Sequence, residues 1–417
     1  MIKHAPSDAA QLRVLIAGGG IAAAEAVIAL RALAGERVSM TLLSPDDDLV
    51  YRPLSVTAAF GGDHTRACAL ARLARDFDVR LVKGALGWVA PSAHIAYTTT
   101  GEQLSYDVLM AATGARRSAA YQHALTFRGY EDTAEMHALV TAVQSGDVGR
   151  VAFVAPRGVV WTLPLYELAL MTAARAADAG RHPELTIVTP EDRPLAVFGA
   201  QASAEVAALL DAAGIECLCG RPPRLPDPRT LVVGPAGPVR VFDRVVALPD
   251  LKGIEIRGLP ADDDGFLRVT PFGHVIGVKD VYAAGDGTAF PIKQGGVACQ
   301  QADVVAESIA HRAGAQITPT GYRPVLRGTL LTGSKPRWLR TDPSSRNHKD
   351  ARSEVADHTL WWPPGKVAGR YLAPYLGEQA PDEDSPIKGR AVISAGRDRG
   401  EVTLLTLPTR HPEVTHV

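Results

Sequence analysis

Gly18, Gly20 and Ala23 stand in the spacing G-x-G-x-x-G/A, and this spacing can cradle a diphosphate. The first glycine permits a tight turn, and the second lets backbone approach a pyrophosphate. A small third residue lets helix and strand pack closely. A helix opening just after the loop adds free N–H groups and the positive end of its dipole. That chemistry needs a strand before the loop and a helix behind it. Residues 13–17 form a short apolar run, 24–34 are strong helix formers closed by Gly35 at a C-cap position, and 37–45 read as a second strand. Together they predict a βαβ unit of about 30 residues. In such a unit an acid at the end of the second strand binds a ribose hydroxyl. Here Ser44 occupies that end, with Pro45 and Asp46 after it, and Ser44 or Asp46 could take the part.

A second strand–turn–helix opens at residues 151–154, but its loop is altered. In "FVAPRGVVWTLPLYELA" (153–169) only Gly158 is present. Pro156 has no N–H to donate, and Trp161 and Leu163 are bulky where backbone would meet phosphate. The scaffold around it reads as intact: a helix after the turn, a strand in 184–195, and helix then strand over 202–218.

The bulk properties exclude several classes. The 417 residues imply two or three domains, and 46% hydrophobic with 21% charged residues allows a large core. A formal net charge of −1 gives no global field for nucleic acid. The first eleven residues lack the apolar core of a secretion signal. The apolar stretch 14–34 is broken by three glycines, Glu25 and Arg31, so it reads as strand plus helix rather than a membrane span. The four cysteines, Cys68, Cys217, Cys219 and Cys299, are too few for a disulfide scaffold. No second Cys/His pair accompanies Cys217 and Cys219, so they read as plain thiols, no metal site is expected, and a reducing cytoplasm is the default.

"YDVLMAATGA" (106–115) is an apolar strand ending in Ala-Thr-Gly. "DVYAAGDGTAFPIKQGGVACQQADVVAESIAHRAG" (280–314) reads as strand, Gly-Asp turn, loop and helix. With the first loop, these stretches resemble the two-dinucleotide-domain flavoproteins of the pyridine nucleotide–disulfide oxidoreductase family. The likeness runs from residue 13 to about 325 and is greatest to type II NADH dehydrogenases and sulfide:quinone reductases. It implies an α/β fold with two Rossmann-like domains and a smaller C-terminal α+β segment. The expected boundaries are an FAD domain at 10–120 and 260–325, an NAD(P)H-type domain with its degraded loop at 121–259, and a C-terminal cap at 326–417.

The resemblance implies FAD against Gly18, Gly20 and Ala23. Gly285 and Asp286 would hold the ribitol, Thr113 and Gly114 would line the path to the second domain, and Arg52 and Pro53 of "YRPLS" would run beside the isoalloxazine. Gly295 and Gly296 would leave helix N–H groups uncovered toward the ring, where a helix N-terminus stabilises negative charge by about 0.3–2 kcal/mol. Lys293 would add a full positive charge. Glu167, in the family's Glu-Leu-Ala segment, would approach the flavin and carry protons once burial raises its pKa. Cys299 is either a packing residue or a lone redox thiol.

Two departures bear on the reaction. Gln300 keeps one of the two glutamines that type II NADH dehydrogenases place near quinone, while Gly296 occupies the place of the other. No cysteine lies between Cys68 and Cys217, so the cysteine chemistry of sulfide:quinone reductases lacks support. The expected function is therefore electron transfer from a reduced donor through FAD to a quinone or another small acceptor. NAD(P)H reduction of quinone, or flavin binding without turnover, stands as the alternative.

Beyond residue 326, residues 323–340 read as two strands around "TGSKP", 341–358 as a polar loop, 378–389 as an acidic loop and 401–410 as a last strand. The aromatic segment 359–379, with Trp361, Trp362, Tyr371 and Tyr375, could pack over the flavin domain. It could instead form a dimer contact or touch the inner membrane face as a peripheral platform.

Overall fold

The computed structural model describes residues 11–62, 67–234, 237–342 and 353–377, with a short strand pair, Val392–Ile393 against Leu404–Leu405. The first expected unit is present: strand Leu12–Ala17, helix Ile21–Ala34 and strand Val38–Ser44, the two strands parallel. Gly35 ends the helix at a φ of 56°, which suits glycine. The helix is alanine-rich and buried along most of its length. It is sandwiched between the sheet and a later helix, Gly295–Arg312.

Two five-stranded parallel sheets organise the chain. The first runs in the order Val281–Ala283, Val108–Ala111, Leu12–Ala17, Val38–Ser44, Val79–Lys83. The second runs in the order Leu125–Thr126, Arg244–Ala247, Arg150–Val154, Glu184–Val188, Ile215–Leu218. The second sheet thus lies within the sequence interval between Val108–Ala111 and Val281–Ala283 of the first. Its strand Arg150–Val154 is buried from Val151 onward, as an apolar run covered on both faces must be.

Three antiparallel strands follow, Leu326–Leu330, Arg337–Thr341 and Ser353–Ala356. The first two are the pair expected around "TGSKP". The third corrects the reading of 341–358 as a loop throughout. It is a half-buried edge strand, and edge strands tolerate polar residues that mask the pattern. Residues 343–352, the acidic stretch 378–389 and most of 401–410 lie outside the described residues.

The segment 366–372 crosses back onto the first sheet's helices as a strap. Val367, Tyr371 and Leu372 are buried. The Tyr371 and Leu372 N–H groups donate to the two carboxylate oxygens of Glu25 at 2.9 and 2.7 Å, and Val367 N–H donates to the Tyr51 hydroxyl at 2.8 Å. Glu25 also shares a hydrogen bond with Asp303, and both carboxyls are raised, chiefly by burial. Arg370 pulls Asp303 back down, while Glu307 pushes it up. A Cβ added at Gly369 would lie 2.7 Å from Glu25 Oε2 and 2.9 Å from Cys299 Sγ. Gly369→Ala is therefore expected to undock the strap, cost about 1–3 kcal/mol and lower the thermal midpoint.

The same cluster sets a pH dependence. A carboxyl raised on folding contributes stability that is fully present below its unfolded pKa and lost as pH rises through the folded value. Thermal midpoints should therefore fall as pH rises above the ordinary carboxylate range. Glu25→Gln combined with Asp303→Asn should flatten that slope.

Candidate functional site

The carboxyl ends of the first sheet converge on one cavity of about 460 Å³, the place where open parallel sheets hold ligands. Gly18 follows the first strand at a φ of 129°, and a Cβ there would lie 2.1 Å from the Ala112 carbonyl oxygen. Only glycine fits that turn. Gly20 is the N-cap of Ile21–Ala34, and a Cβ on it would meet nothing within 4 Å. It faces the cavity, so backbone amides are presented with room for a bulky anion. Ala23 is fully buried in the helix–sheet contact.

Gly19, an unspecified position in the fingerprint, is also constrained. A Cβ on it would lie 2.3 Å from Ser44 Oγ. Ser44 itself is buried, and its hydroxyl is spent on the backbone of Asp46, donating to the carbonyl and accepting from the N–H, both at 3.1 Å. Of the two ribose candidates, Asp46 lines the cavity and Ser44 instead shapes the turn that presents it.

Arg52, Pro53, Thr113, Gly114, Gly285 and Asp286 all border the same cavity. The Gly285 N–H donates to Gln301 Oε1 at 2.8 Å, which fixes the Gly-Asp turn on the late helix. Asp286 pairs with Arg117 at 3.3 Å. Sequence reasoning missed Arg117 and Gln301, since nothing in their local spacing marks them. Lys293 also reaches the cavity, lying 3.7 Å from the centroid of the Phe266 ring with its ammonium donating to the Thr288 carbonyl. Burial pulls its pKa down to about 8, against the opposing pull of Asp286 and Asp262.

The start of Gly295–Arg312 differs from expectation. Gly295 lines the cavity, but Val367 of the strap packs on it: a Cβ there would lie 2.6 Å from the Val367 side chain. The Gly296 N–H is not left open, because the N-cap side chain of Gln294 accepts it at 2.7 Å. A glutamine side chain just before a helix can fold back onto its first amides, and here it closes one that the two glycines would leave open. Gln300 is spent on the backbone of Gly296 and Val325.

Glu167 is fully buried at the far wall of the cavity. Lys366 of the strap places its ammonium 2.6 and 2.8 Å from the two carboxylate oxygens, and the Leu331 N–H donates to Oε1 at 3.0 Å. Burial drives the Glu167 pKa up, while Lys366 and the amide hold it down; the balance remains raised. Trp161 and Leu163 form the adjoining wall, with Trp161 tilted against Phe198 at 5.6 Å. Lys366 lies in the aromatic segment 359–379. No local signal ties it to a glutamate 199 positions earlier.

Cys299 does not join this group. It is fully buried in the helix core beside Glu25, where burial pushes its thiol pKa well up and keeps it protonated. Among the described residues no cluster of three or more metal-ligating side chains occurs. None of their helices is long and apolar enough to cross a membrane.

Two parallel sheets, the first with a glycine turn at its carboxyl end, define a mixed α/β protein of Rossmann-like architecture. No family model and no curated protein matches the chain at the level of sequence. Solved structures do match in fold. The sulfide:quinone oxidoreductase of Aquifex aeolicus is similar with a TM-score of 0.75 at 19% identity, over 83% of this chain and 87% of that one. A ferredoxin reductase from Rhodopseudomonas palustris gives 0.60 at 19%, over 79% and 82%. An NAD-dependent persulfide reductase from A. fulgidus gives 0.57 at 17%, over 79% and 64%. The chain therefore shares the mixed α/β, parallel-sheet fold of these proteins.

Proposed function

We propose that the chain is an FAD-dependent oxidoreductase that moves electrons from a reduced donor to a quinone or another small acceptor. The observation that carries this reading is the single cavity joining the open amide cradle at Gly20 to the buried Glu167–Lys366 pair. The cradle fits a dinucleotide diphosphate: glycine is required at position 18, position 20 leaves room, and a helix N-terminus stands behind both. The fold neighbours, which include a sulfide:quinone oxidoreductase and a ferredoxin reductase, support the same class of chemistry.

In this reading residues 10–120 and 260–325 form the FAD domain, 121–259 the NAD(P)H-type domain and 326–417 the cap. Bound FAD supplies reversible two-electron chemistry. Gly18, Gly20, Asp46 and Asp286 hold and orient it, and Arg52, Pro53, Thr113 and Gly114 flank its path. Lys293 and Gly295 border it where positive charge favours an electron-rich ring. Glu167 holds a proton at its carboxylate, and Lys366 sets how readily that proton leaves. The strap, seated over Gly295, excludes water from this end.

The second sheet takes no dinucleotide in the usual manner. Glu191, three residues beyond Glu184–Val188 and placed to bind a ribose, is instead bonded to the Tyr166 hydroxyl at 2.8 Å and to Thr189 at 3.0 Å. Pro156, Trp161 and Leu163 occupy the turn. The intact strand–helix scaffold keeps NAD(P)H as the rival donor. Of the aromatics in 359–377, Tyr371 is buried in the strap and drops out, and the part around Trp362, 63% exposed, is the surface for peripheral membrane contact or a homodimer.

Anaerobic titration separates these readings. Bleaching of the flavin by a quinol, the reverse of the proposed acceptor step, but not by NADH or NADPH, is expected, and sulfide, with no cysteine lining the cavity, should leave the flavin oxidised. Prompt bleaching by NADH would favour the NAD(P)H:quinone reductase. No bleaching by any of the four would favour a flavin-binding sensor.

A further inference from the structure

Cys217 and Cys219 are free thiols, as their spacing suggests, and the structure sets them side by side. They flank Leu218 at the end of the edge strand Ile215–Leu218 of the second sheet. Residues two apart on a strand share a face, and the two sulfurs lie 3.5 Å from each other. Neither thiol is fully buried. The backbone around them is pinned: the Thr189 N–H donates to the Leu218 carbonyl at 3.1 Å, and the Gly220 N–H donates to the Glu191 carbonyl. The sulfurs are thus held side by side by fixed backbone, at an edge that a small molecule can reach. Closing to a bonded distance of about 2.05 Å brings the sulfurs about 1.5 Å nearer than they stand now.

We propose that Cys217 and Cys219 form a redox-active dithiol that reduces low-molecular-weight disulfides by exchange. The Cys219 thiolate attacks one sulfur of RSSR, forming a mixed disulfide and releasing RS⁻. Cys217 then gives its proton to water and attacks the Cys219 sulfur, releasing the second RS⁻. The sum is two protein thiols plus RSSR giving one protein disulfide plus two RSH. The order of attack follows from the local charges. A thiol hydrogen bond from Cys217 lowers the Cys219 pKa, while that bond and burial raise the Cys217 pKa, and the thiolate is the attacking species. Tyr166 and Glu191 lie beside the pair, and Tyr166 immediately precedes Glu167 on the helix Leu163–Asp178.

The test treats the full-length protein with oxidised glutathione, blocks residual thiols by alkylation and measures the mass of the tryptic peptide 182–224, which contains both cysteines. The expected result is a peptide lacking two hydrogens, carrying neither glutathione nor the alkylating group and restored by dithiothreitol. Cys217→Ser should trap glutathione on Cys219, at least ~10-fold faster than Cys219→Ser traps it on Cys217. A wild-type peptide that stays fully alkylated, or that accumulates glutathione on either cysteine without closing, would overturn the proposal. Flavin content and turnover do not enter this readout, so it stands or falls separately from the proposed function.

Discussion

Gly20→Asp is expected to yield a well-folded, colourless protein. The two halves of that result come from one side chain. Gly20 is the N-cap of Ile21–Ala34, with no side-chain cap bond. Aspartate is among the preferred residues there, and its carboxylate accepts from the first free amides, so the helix should gain a few tenths of a kcal/mol over glycine. A Cβ at this position touches nothing, so no clash offsets the gain. The same carboxylate then occupies the cradle and faces the diphosphate. Like charges brought together cost several kcal/mol, and every 1.4 kcal/mol is about tenfold in affinity. FAD affinity should fall by about 10²–10³-fold while the thermal midpoint of the apoprotein holds or rises. Apoprotein titrated with FAD, followed by flavin fluorescence quenching, reads the first quantity, and a melting curve reads the second. Unchanged affinity would place the dinucleotide elsewhere.

Lys366→Met is expected to damage both stability and turnover, and a second substitution separates the two. The ammonium is 9% exposed and Glu167 not at all. Removing one partner of such a pair strands the other and costs about 3–5 kcal/mol. The loss depends on pH in a definite direction. Without its cation the Glu167 carboxyl, already raised by burial, rises further above its unfolded value. A group raised on folding keeps its stability at acid pH and loses it as pH climbs through the folded pKa. The variant should therefore approach wild-type stability in acid and fall away at neutral and alkaline pH. Adding Glu167→Gln removes the stranded charge and should recover most of the stability. Turnover should stay down by about 10²–10⁴-fold in both variants, the range lost with a positioned proton carrier. Recovery of turnover together with stability in the double variant would reduce the pair to a structural brace.

The sequence made the supporting elements readable because their patterns are local. Residues 13–45 contain a strand, a glycine turn, a helix of alanines and leucines and a second strand. The structure returns that unit with boundaries shifted by one to three residues, the helix starting at Ile21 rather than Ala24. The second sheet was readable even with its fingerprint degraded, since apolar strands and an amphipathic helix do not require the glycines. The points that escaped were decided by neighbours remote in sequence or by competition within a turn. Ser44 and Asp46 are two residues apart, yet one faces the core and the other the cavity. Gln294 folds onto Gly296 and closes an amide that looked open. The edge strand Ser353–Ala356 carries too few apolar residues to stand out from the polar stretch before it. Lys366 reaches Glu167 across 199 positions, and the backbone of Tyr371 and Leu372 reaches Glu25 across 346 and 347. Such pairings leave no periodicity to read.

The account rests on a flavin dinucleotide seated over the Gly18–Gly20 turn. Purified full-length protein, denatured and filtered, should release FAD in a near one-to-one ratio with the chain, identified by its absorption spectrum and mass. Apoprotein should regain it when FAD is supplied. Folded protein that releases no flavin and takes up none when offered an excess would contradict the assignment of the cavity, and with it the proposed reaction.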